Sequence, residues 1–85
     1  MNIQITNLSL NLIEADLRRL FTPFGEIGTV ELMRDKHNNR PTGKGIVIMP
    51  VQKQAKTAIV SLDGTLLAGK RIIVAEAPSQ EMLWD

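Results

Sequence analysis

The sequence predicts an α+β sandwich, a four-stranded antiparallel sheet with two helices on one face. Three observations predict it. Leu17, Leu20, Phe21 and Phe24, and again Ala55, Ala58, Ile59 and Leu62, recur at i, i+3, i+4 and i+7, the spacing of an amphipathic helix. Shorter runs rich in β-branched residues flank each stripe, so strand, helix, strand is given twice. One of these runs, Ile46-Val47-Ile48-Met49, is apolar at every position. A strand alternates its side chains between two faces, so both faces of that strand need cover.

Each element has its own local warrant. Residues 2–6 alternate, with Ile3 and Ile5 inward and Gln4 and Thr6 outward, as in a half-buried strand. Asn11 with Glu14 three residues on has the spacing of a helix N-cap and its reciprocal acid. Pro23 disfavours helical geometry at Thr22, and Gly25 supplies the turn. Residues 27–34 read as the second strand, with Val30 and Leu32 alternating against Glu31 and Met33. Residues 35–42 form a polar loop. The third strand covers 43–49 and stops at Pro50, which cannot donate to a ladder. The second helix spans about 51–62. Asp63-Gly64 is a turn, residues 65–70 suit a short hairpin, and 71–75 form the fourth strand. In that strand Ile72 and Val74 share one face, Ile73 and Ala75 the other.

The order β-α-β-β-α-β with short connections is the ferredoxin-like arrangement. Right-handed crossovers place both helices on one side and leave the other side open. By alternation the open side carries Gln4, Thr6, Glu31, Met33, Lys44, Ile46, Ile48, Ile73 and Ala75. Its centre is aliphatic. Burying one such side chain stabilises by roughly 1.5–3 kcal/mol, so several left in water would make an unusual patch.

Composition bounds the function. With 85 residues the chain makes one small domain, residues 1–77, followed by a tail at 78–85. It has no cysteine, so thiolate metal sites and disulfides are excluded, and no cofactor is expected. No run approaches the roughly 20 apolar residues of a membrane span, and a cytoplasmic protein without a membrane partner is the expectation. A net charge of +1 is nearly neutral, so any contact with nucleic acid must rest on where the cations stand. No nucleophile–base pair or convergent carboxylates are visible, so no catalytic residue and no enzyme is expected.

Several separate motifs carry a resemblance. Ile3-Gln4-Ile5-Thr6-Asn7-Leu8, Asp16-Leu17-Arg18-Arg19-Leu20-Phe21 and Phe24-Gly25-Glu26-Ile27 stand in order. So do Thr42-Gly43-Lys44-Gly45-Ile46-Val47-Ile48-Met49, Ala58-Ile59, Leu62-Asp63-Gly64 and Gly69-Lys70-Arg71. Together they resemble the RNA recognition motif, in the form of a small, bacterial-like, single-domain member that lacks the usual aromatic residues. The resemblance implies single-stranded RNA as the partner, with bases stacked on rings of the two central strands. The three ring positions fall on Gln4, Lys44 and Ile46, none aromatic. Thr42 stands where the family's octapeptide usually opens with a basic residue, and Met49 where it usually closes with an aromatic.

The candidate RNA-binding set is Gln4, Thr6, Arg34, Lys36, Arg40, Lys44, Ile46 and Arg71. Cations around the 35–42 loop suit phosphate contact at the sheet's edge, and equally suit a solvated loop. Lys70 and Arg71 suit an extension of that basic rim, and equally suit an ordinary turn beside a strand. His37 stands alone among polar residues, without metal-ligand spacing, and reads as solvent-exposed. Gly43 and Gly45 read as close packing against a helix, and Asn7 as a backbone-bonding residue at the loop's start. A second set, Met33, Ile46, Ile48, Ile73, Leu83 and Trp84, suits protein contact. The partner there is another protein, a second copy, or the chain's own tail laid over the sheet. RNA binding through the open face and the basic loop is the first reading, weakened by the missing rings, which are worth roughly 1–3 kcal/mol per base. A protein-interaction module is the alternative.

Overall fold

In the computed structural model, which describes residues 1–78, the strand–helix repeat is realised in full. Its elements are β1 (Asn2–Thr6), α1 (Glu14–Phe21), β2 (Thr29–Arg34), β3 (Pro41–Ile48), α2 (Gln52–Leu62), β4 (Leu66–Leu67), β5 (Lys70–Arg71) and β6 (Ile73–Glu76). The sheet runs β2-β3-β1-β6, every neighbouring pair antiparallel. Each helical crossover therefore skips one strand, which the other half of the chain then fills. The β4–β5 pair is a separate ribbon.

The helix stripes and the inward strand residues meet in one core. Ile3, Ile5, Val47 and Val74 from the sheet pack with Leu17 and Phe21 of α1 and with Ala55, Ala58 and Leu62 of α2. Gly45 explains how α1 comes so close. A Cβ there would lie 2.9 Å from Leu17 Cδ1 and 3.1 Å from the Glu31 carbonyl oxygen, so only glycine fits. Gly43 has a different reason. Its φ of 81° needs glycine, and a Cβ there would meet the Leu8 carbonyl oxygen at 3.1 Å, a loop and not a helix.

Helix α1 starts later than the Asn11 spacing predicts. The last non-helical residue is Ile13, and Asp16 Oδ2 accepts from its backbone N–H at 2.9 Å. The acid three residues on is present, but an apolar residue takes the place of the hydroxyl. Leu12 decides this, because it packs against the core and ties residues 9–12 into a turn. The other end also departs from expectation. Thr22, before Pro23, keeps helical geometry (φ −53°, ψ −40°). Its N–H and its Oγ1 both bond the Arg18 carbonyl, and the helix tightens into a 3₁₀ turn over Thr22–Phe24.

Strand limits shift slightly. β2 begins at Thr29, although Gly28 N–H already bonds the Ile48 carbonyl at 2.8 Å. β3 starts at Pro41, which pairs with Arg34 across an irregularity between Leu32 and Arg34. The fourth sheet strand begins at Ile73, not Arg71. Residues 70–71 turn back onto 66–67 through Ala68 and Gly69, both at positive φ (53° and 81°), which matches the twist of a two-residue hairpin.

Candidate nucleic-acid interface

The register fixes which side chains share the uncovered face. Gln4 pairs with Ile46 on one side and Ala75 on the other, and Ile46 pairs with Glu31. One row across the sheet is therefore Glu31, Ile46, Gln4, Ala75. Asn2, Ile48 and Thr29 form a second row. Thr6 pairs with Ile73, and Thr6 and Lys44 follow the Ile5–Gly45 pair, giving a third. Val47 faces Ile3 in the core, so Ile46 points the other way. The three ring positions of the family, Gln4, Lys44 and Ile46, thus stand side by side.

The aliphatic centre is less wet than alternation predicts. Ile46 keeps 9% of its surface and Ile48 is half-buried. A residue on an inner strand is crowded by cross-strand neighbours, and Ile46 stands between Gln4 and Glu31. Exposed apolar surface lies further out, on Met33 (41%) and Ile73 (55%). Leu83 and Trp84 lie outside the described residues.

Charge gathers at one end of this face, where β1 and β2 finish and β3 and β6 begin. Six of the ten lysines and arginines stand there: Arg34, Lys36, Arg40, Lys44, Lys70 and Arg71. All six side chains are exposed. Among the described residues, the only ion pair is Arg19–Asp16 on α1, so these cations have no protein carboxylate as a partner. Arg71 is partly committed, since one guanidinium nitrogen donates to the Gly64 carbonyl at 2.6 Å. It belongs to the ribbon's rim beside the sheet and not to a sheet strand.

The 35–40 loop is built, not slack. Asp35 Oδ1 accepts from the N–H groups of His37 (2.7 Å) and Asn38 (3.3 Å), and Asn38 Oδ1 accepts from Arg40 N–H at 2.9 Å. Asp35 N–H bonds the Arg40 carbonyl at 2.8 Å, and Asn39 takes a positive φ of 58°. These Asx turns project Lys36, His37 and Arg40 into solvent. Asp35 was readable as an organiser from its place ahead of two asparagines, a signal easily lost among the loop's charges. Asn7, at φ 61°, donates its Nδ2 to the Arg71 carbonyl at 2.8 Å, and Leu8 N–H bonds the Gly43 carbonyl at 2.9 Å. These bonds tie the basic end to the strands. No group of three His, Asp or Glu able to hold a metal occurs among the described residues, and no helix there is long and apolar enough to cross a membrane.

Comparison with known proteins agrees with this geometry. The family model described as RNA recognition motif matches residues 3–73. The putative RNA-binding protein RbpD of Nostoc sp. is 36% identical over 95% of this chain and 86% of its own length. The probable splicing factor, arginine/serine-rich 4, of Caenorhabditis elegans is 36% identical over 94% of this chain, which spans only 43% of that protein. The crystal structure of RNA binding protein PG1 superimposes with a TM-score of 0.90 at 31% identity, covering 94% of this chain and 96% of that one. With its sheet order, its two strand motifs and nearly its whole length accounted for, this chain belongs to the RNA recognition motif family.

Proposed function

We propose that the chain binds single-stranded RNA across the uncovered sheet face. Bases lie over Gln4, Thr6 and Ile46, while Arg34, Lys36, Arg40, Lys44 and Arg71 hold phosphates at the basic end. The observation that carries this is the gathering of exposed cations, without a carboxylate partner among the described residues, at the border of the face that the helices leave open. A cation without an internal partner is free to displace counterions from a phosphate. The face has no ring, so its aliphatic and polar side chains give less to each base than a stacked aromatic would. Binding is weak, sequence-tolerant in its phosphate part, and sensitive to salt.

A salt titration of binding to short single-stranded RNA pools tests this. Lys44→Ala and Arg40→Ala should each weaken binding and flatten the log–log salt slope by about 0.7, the value for one contact to a single strand. Binding that is undetectable at low salt ends the reading. Exposed Met33 and Ile73 favour a second one, in which another protein or a second copy sits on the same face. Concentration-dependent association in sedimentation, lost in Ile73→Ser and indifferent to RNA, is its signature.

A further inference from the structure

Glu31 is out of place for a surface that binds a polyanion. It stands on the edge strand β2, on the uncovered face, paired in register with Ile46, which is paired in turn with Gln4. Its neighbours Val30 and Leu32 pack against the core, so Glu31 itself faces outward, and it is exposed. Among the described residues it forms no ion pair and its carboxylate accepts no hydrogen bond. It is also the one acidic residue that the register puts on this face, since Glu76 pairs with Ile3 on the opposite side. A carboxylate repels phosphates unless something in the ligand repays it with donors.

We propose, resting on the RNA reading above, that Glu31 is a specificity-determining residue: it selects guanine as the base seated over Ile46. An ionised carboxylate only accepts hydrogen bonds, through two oxygens side by side. The bases differ in what they offer it. Guanine presents two adjacent donors, the ring N1–H and the exocyclic amino group, which match two oxygens as a guanidinium fork does. Adenine and cytosine present an amino group beside a ring nitrogen acceptor, so one oxygen is satisfied and the other repelled. Uracil presents a single N–H with a carbonyl on each side. Directly opposed cross-strand residues have Cβ atoms about 5 Å apart, so a base resting on Ile46 turns one edge toward Glu31 and the other toward Gln4. Gln4, with both a donor and an acceptor, accepts any base on its side. Glu31 alone discriminates.

The test uses the 85-residue chain and a short uridine oligomer with one guest base at its centre, measured by fluorescence anisotropy at low salt. Guanine as guest should bind about tenfold tighter than uracil, the scale of one bidentate base contact. Inosine, which keeps the ring N–H and lacks the amino group, should fall between them. Glu31→Gln should erase most of the guanine advantage while leaving the uracil guest unchanged or slightly tighter. Because Glu31 is exposed, an unchanged thermal melt checks that the variant folds. Equal affinity for all guests in the parent chain overturns the inference, and so does a uniform gain across guests in Glu31→Gln, which marks simple repulsion. No binding to any guest overturns the RNA reading, and this inference with it.

Discussion

The two faces of β3 obey different rules. Its inward residues, Gly45 and Val47, with Met49 just beyond, are buried, and each is chosen by volume. A methyl group added at Gly45 meets Leu17, and a methyl lost from Val47 leaves a void. Its outward residues, Lys44, Ile46 and Ile48, pass from exposed to nearly covered, and no helix dictates their shape. Of the positions where the family usually carries rings, Gln4, Lys44 and Ile46 lie on the second face and Met49 on the first. Packing therefore fixes the side chains of the first face, while no helix constrains the chemistry of the second.

Adjacent isoleucines offer the sharpest way to break that contrast. Ile72 is fully buried and Ile73 is 55% exposed, one step apart on the chain. Ile72→Ala should cost about 2–5 kcal/mol, against about 5–15 kcal/mol for a whole domain. Ile73→Ala should stay within about 0.5 kcal/mol. Urea unfolding of both variants decides it. Similar losses would mean that the open face is packed as tightly as the core, and that the two faces do not differ in kind.

A ring restored to the open face sharpens the comparison from the other side. Ile46→Phe should tighten single-stranded RNA by about 1–3 kcal/mol, the worth of one stacked base. The same change should cost about 1 kcal/mol of unfolding free energy, because the ring must displace the cross-strand neighbours Gln4 and Glu31 although no helix lies over it. The paired measurement is RNA affinity by anisotropy and stability by urea. Unchanged affinity would place the bases somewhere other than the Gln4–Ile46 row.

How much of this was legible in the sequence follows the same division. The inward stripes repeat with the period of their own element, so Leu17, Phe21, Ala55, Ala58 and the strand partners Ile3 and Ile5 declare the core without any coordinates. The ferredoxin-like arrangement followed from the order of strands and helices along the chain. Element ends were less readable, since they depend on packing that no local pattern shows. Asn11–Glu14 and Ile13–Asp16 have identical spacing, and only the seat of Leu12 in the core chooses the second. Arg71 and Ile73 sit in one apolar-basic run, yet the positive φ of Ala68 and Gly69 folds the first into a ribbon and leaves the second to the sheet. On the open face the members were legible and their exposure was not. Alternation says that Ile46 points outward, but its cover depends on the cross-strand neighbours Gln4 and Glu31, which are 42 and 15 residues away in sequence.

Acid tells the two sides apart most gently. On the helix side, the Asp16 carboxyl is held below the usual carboxylate range, first by the Ile13 backbone N–H and then by Arg19. A carboxyl depressed in the folded chain binds its proton more readily once unfolded. Its contribution is therefore complete above the ordinary carboxylate value of about 4 and is lost as pH falls through the lower, folded value. The start of α1 should loosen over that window, and Asp16→Asn should remove part of the acid dependence. Amide exchange at the first turn of α1, followed from pH 5 downward in both forms, reads the effect directly. The helix-side N-terminus should respond first in the parent chain and not in the variant. An identical acid profile in the two forms would show that the α1 cap does not couple to the proton, and that packing alone secures the covered side.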